Sequence, residues 1–94
     1  TSKVHKLYEM TARALQKLDE NSLAAKIVKT ISLIYIVEQF ERLPPTKDII
    51  IATYRDSIHD VEVIDAVLAE LVEKECIVYL KRSNGYLKIK ERIY

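Results

Sequence analysis

His5, His59 and Cys76 are the side chains of this 94-residue chain best suited to ligating a metal or attacking an electrophile. Their spacing argues against both roles. Zinc sites pair their ligands at short steps of roughly two to five residues, and no two of these three stand that close. Neither a metal nor another cofactor is expected. A nucleophilic thiol also needs a base beside it, and the sequence suggests none. Cys76 falls where a helix meets a strand, a position suited to a small buried thiol. Asp56 and Asp60 flank a turn, which capping and turn formation explain better than acid–base work. No enzyme is expected.

The chemistry that remains is electrostatic. Near the C-terminus, Tyr79, Lys81, Arg82, Tyr86, Lys88 and Lys90 interleave aromatic rings with cations. Such a set can contact phosphates and stack on exposed bases, or meet an acidic protein partner. Lysines there also keep an exposed hairpin edge from pairing with other chains. Upstream, Glu62, Asp65, Glu70 and Glu73 form an acidic set suited to protein contact. The net charge of +1 conceals this division. Residues 1–42 carry +2, residues 43–75 carry −5 and residues 76–94 carry +4. The split also permits a homodimer in which the acidic helix of one copy faces the basic hairpin of another, a contact that salt would weaken.

These side chains must be positioned by a chain that is 49% hydrophobic and 31% charged, with one Gly and two Pro. That composition predicts a globular, mainly α domain with a little β, too short for a second core. The expectation is one domain over 1–94: a helical part to residue 42, a helix-turn-helix over 43–75 and a hairpin over 76–94. A chain beginning at Thr1 and stopping just after an apparent strand reads as a fragment of a longer protein. One cysteine and an amphipathic start without a secretory pattern point to a reducing, cytoplasmic setting. The most apolar run, Ile31 to Val37, is far shorter than the roughly 20 residues that a bilayer span needs.

Periodicity predicts the elements. Val4, Leu7, Tyr8, Thr11, Leu15 and Leu18 form an apolar stripe on a helix over about Ser2 to Leu18. Ser22 reads as the N-cap of a second helix running to about Arg42, apolar around much of its girth and ended by Pro44-Pro45. Thr46 caps a short third helix, Lys47 to about Tyr54. Asp60 caps a fourth, in which Val61, Ile64, Val67, Leu68, Leu71 and Val72 keep helical spacing to about Glu75. Strand-prone runs over Ile77–Arg82 and Tyr86–Arg92 flank Asn84-Gly85, the preferred pair for a two-residue hairpin turn. That turn pairs Leu80 with Ile89 and Lys81 with Lys88. Val78, Leu80, Leu87 and Ile89 then share one face, and Tyr79, Lys81, Tyr86, Lys88 and Lys90 the other.

This order, with "LPPTKDIIIATY" leading into "DVEVIDAVLAELVEKECIVYL", resembles the winged helix-turn-helix superfamily over Leu43 to Ile89, about half the chain. The resemblance implies four helices followed by a two-stranded wing, with the fourth helix as the second helix of the motif. The superfamily includes DNA readers, RNA binders and protein-interaction modules, so the fold leaves function open. "LPPTKDII" with "YLKRSNGYLKIKE" also looks like an accessory segment that follows the core of large bacterial P-loop ATPases. The core motif GxxxxGK[ST] is absent here. The resemblance therefore implies a non-catalytic adaptor whose partner is another protein or the rest of its own chain. The alternative is a DNA-binding domain or transcriptional regulator that contacts phosphates through the wing.

Overall fold

The computed structural model describes residues 2–80 and 85–91. Within them four helices precede an antiparallel hairpin: α1 (Ser2–Leu15), α2 (Leu23–Val37), α3 (Lys47–Thr53), α4 (Val61–Glu73), β1 (Ile77–Leu80) and β2 (Tyr86–Ile89). The three expected caps form. The Ser22 hydroxyl accepts from the Ala25 amide, the Thr46 hydroxyl from Ile49 and the Asp60 carboxylate from Glu62. Each satisfies an amide that the first turn leaves without a partner.

The helix α2 is the centre of the fold, packing against α1, α4 and β2. Its Ile27, Val28 and Ile31 are fully buried, with Ile50 of α3, Leu71 of α4, Ile77 of β1 and Leu87 of β2 around them. The stripe expected of the first helix packs on the core through Leu7, Thr11, Leu15 and Leu18, with Met10 and Ala14 added to it and Tyr8 turned outward. Met10, Thr11 and Ala14 are buried, while Tyr8 is 62% exposed. Thr11 goes inside because its hydroxyl has two partners there. It donates to the Leu7 carbonyl at 2.8 Å and accepts from the Ser32 hydroxyl at 2.9 Å.

Pro44-Pro45 does not end α2, contrary to expectation. The helix stops at Val37, where Glu38 turns left-handed (φ 57°) and donates its amide to the Ile34 carbonyl. The prolines serve the hairpin instead. The Pro45 carbonyl accepts the Leu87 amide at 2.6 Å, and the Tyr35 hydroxyl donates to the Leu87 carbonyl at 2.6 Å. Both backbone groups of Leu87 thus point away from β1, and the outer edge of β2 is covered there.

The hairpin register is the second correction. Ile77 pairs with Ile89, Val78 with Lys88, Tyr79 with Leu87 and Leu80 with Tyr86. Leu80 therefore lies opposite Tyr86, three residues from the pairing that an Asn-Gly loop predicts. Residues 81–84, which include that loop's Asn84, lie outside the described residues. Gly85 is left-handed, at φ 83°. An odd slip turns a strand over, so Ile77 and Tyr79, not Val78 and Leu80, share the face of Leu87 and Ile89.

The end of α4 explains this choice. Glu75 is left-handed at φ 61°, the Cys76 amide donates to the Leu71 carbonyl, and the Glu75 amide donates to Val72. This Schellman ending turns the chain so that Cys76 and Ile77 enter the core at once. Burying Ile77, Leu87 and Ile89 together outweighs a two-residue turn.

Candidate functional site

The acidic set on α4 lies on the outward half of the helix, with Glu62, Asp65, Glu70 and Glu73 all exposed. Ile64, Leu68 and Leu71 hold the opposite side in the core. Two of the four carboxylates are answered by lysines. Asp65 pairs with Lys47 of α3, and Glu70 with Lys74 one turn along at 3.0 Å. The hydrogen bonds and charges of these carboxylates hold both ammonium groups above their ordinary pKa. Glu62 and Glu73 have no cation within ion-pair distance among the described residues. Ala66 and Ala69, both exposed, lie between them.

The hairpin register takes Tyr79 out of the basic set. Lys81 and Arg82 lie outside the described residues. Tyr79, 45% exposed, stands opposite Leu87 on the core-side face. Tyr86 and Lys88 are half-buried on the other face. Lys90 is tied to Glu75 at 3.3 Å. The register slip has separated Tyr79 from Tyr86 and Lys88.

Lys88 instead joins a site that sequence spacing did not reveal. It lines a groove of about 360 Å³ between α1, the C-terminal end of α2 and β2. The floor is apolar, built from Val4, Leu7, Met10, Tyr35, Ile36 and Phe40. Phe40 meets Tyr35 edge-on at 5.3 Å and Tyr86 at 6.5 Å. Two ion pairs rim the groove, Lys3–Glu38 at 2.8 Å and Lys6–Glu91 at 2.9 Å. The hydrogen bond and charge of Lys6, with Lys88 farther off, hold the Glu91 carboxyl below its usual range. Burial, then the nearby Tyr86, pushes the Tyr35 phenol up. The only signal of this site was an aromatic residue, Phe40, shortly before the prolines; a helix drawn through to Arg42 hid it.

The remaining candidates are structural in placement. His5 pairs with Glu9 on the same helix at 3.0 Å, and His59 is exposed before α4. Cys76 is buried, its thiol 3.7 Å from the Ala14 carbonyl, and burial pushes its pKa up. Among the described residues no group of three His, Cys, Asp or Glu is placed to hold a metal ion. Nor, among the described residues, is any helix long and apolar enough to cross a membrane. No protein-family model, curated protein or solved structure matches the chain.

Proposed function

We propose that this chain is a winged helix-turn-helix module of the protein-interaction kind, non-catalytic and accessory to a larger bacterial ATPase. The short α3, the capped turn into α4 and the hairpin that follows α4 support the fold assignment. So does the Leu87–Pro45 backbone bond, which fastens the hairpin to the segment before α3.

One observation carries the functional part. In DNA readers of this fold, the second helix of the motif enters the major groove with its N-terminal residues at the base edges. The corresponding end of α4 exposes Val61, Glu62 and Val63, and the Asp60 carboxylate already caps it. The partial positive charge of a helix N-terminus is therefore satisfied by two acids instead of standing ready for phosphate. Glu73 continues the negative charge along the outward side. Such a surface is repelled by DNA, which carries one charge per about 1.7 Å of duplex.

The test is a fluorescence anisotropy titration with random duplex and single-stranded DNA at about 50 mM and about 200 mM salt. The expected result is no saturable binding in either condition. Binding that falls steeply with salt and disappears on Lys81→Glu, Lys88→Glu and Lys90→Glu substitution would instead establish contact through the wing.

A further inference from the structure

The most apolar helix of the fold leaves part of its surface uncovered. On α2, Leu33 is 59% exposed and Val37 49% exposed, one turn apart. Ile36, on the same side, is half-buried and continues directly into the groove floor. Lys26 and Lys29 border this strip, and neither has a carboxylate partner among the described residues. With Lys88 on the far rim and the two rim pairs self-cancelling, the whole surface is apolar with a positive border.

The molecule itself presents the complement. On α4 the outward side is negative and low, with Ala66 and Ala69 between Glu62 and Glu73. The spacings match when the helices run antiparallel. Lys29, Leu33 and Ile36 advance by four and then three residues, and Glu73, Ala69 and Ala66 descend by the same steps. Residues at such steps line one side of a helix. Leu33 and Ile36 then stand over the two alanines, which allow close approach, and Lys29 meets Glu73. A symmetric α2-to-α2 contact would bring two positive borders together.

We propose that this surface of α2 binds α4 of a second copy of the chain, head to tail. This rests on the protein-interaction reading and names its partner. One such contact per pair of copies leaves an α2 strip free at one end and an α4 free at the other, so assembly continues into rings or open chains.

Sedimentation velocity over roughly 10 µM to 1 mM protein tests it, with circular dichroism confirming that each variant stays folded. The wild-type chain is expected to grow beyond a dimer with concentration. Lys29→Glu, which sets like charges opposite each other, should weaken assembly about tenfold or more. Leu33→Glu and Ala69→Glu, both at exposed positions, should each leave monomers. Mixed one to one, these two variants retain a single intact contact and should form a 1:1 dimer and nothing larger. A monomeric wild type at all concentrations would overturn the inference, as would assembly that Leu33→Glu abolishes but Ala69→Glu does not. Either result, without DNA binding, leaves the protein-interaction reading in place.

Discussion

At the residue scale, Tyr35 connects most of what matters. Its ring forms part of the groove floor and meets Phe40, and its hydroxyl holds the Leu87 carbonyl. Tyr35→Phe keeps the ring and removes only the donor, leaving a half-buried carbonyl without a partner. The expected loss is about 1–2 kcal/mol, read from urea unfolding at pH 7. The phenol pKa is raised above its ordinary value near 10 in the folded chain. Its contribution is therefore complete below pH 10 and is lost as pH rises through the folded value. Wild type should lose more stability than Tyr35→Phe as pH rises above about 10. Parallel alkaline limbs in the two proteins would show that this hydroxyl does not titrate with folding.

At the scale of elements, the joints carry more information than the helices they join. Glu38 and Glu75 both end helices in the left-handed region without being glycine, which costs about 1–2 kcal/mol for a side chain with a Cβ. Glu75→Gly removes that strain, against the loss of an exposed pair with Lys90 worth about 0–1 kcal/mol. A net gain of about 0.5–1 kcal/mol is expected. Glu75→Ala, which keeps the Cβ and loses the pair, should lower the midpoint. The comparison in urea separates the backbone effect from the ion pair. A Glu75→Gly protein no more stable than Glu75→Ala would contradict a strained Schellman ending.

At the scale of the whole molecule, a single core joins helices and hairpin through α2. Ile31 is fully buried in a cluster that includes residues from every element. Ile31→Ala should cost about 2–5 kcal/mol, through lost burial and the cavity left behind. The loss should appear equally in far-ultraviolet dichroism, which follows the helices, and in hydrogen exchange of the Leu87 amide, which follows the hairpin. Unequal losses would mean that the hairpin opens apart from the helices.

Local sequence was enough for the element order, the caps at Ser22, Thr46 and Asp60, and the acidic side of α4. These depend on local chemistry: a hydroxyl or carboxylate at the residue before a helix, and a three-to-four spacing of apolar side chains. It also marked Cys76 for burial, because a small thiol between a helix and a strand has little else to do. Three matters were decided only by tertiary structure. The end of α2 depends on Glu38 accepting a left-handed backbone, which no propensity signals. The register depends on three side chains, Ile77, Leu87 and Ile89, competing together for one core against a locally favoured turn. That choice moved Tyr79 to the core-side face, away from Tyr86 and Lys88, which stay together on the other. The groove and the uncovered strip on α2 have the same origin: they appear only when elements distant in sequence meet, and spacing within one element cannot encode the gap between two.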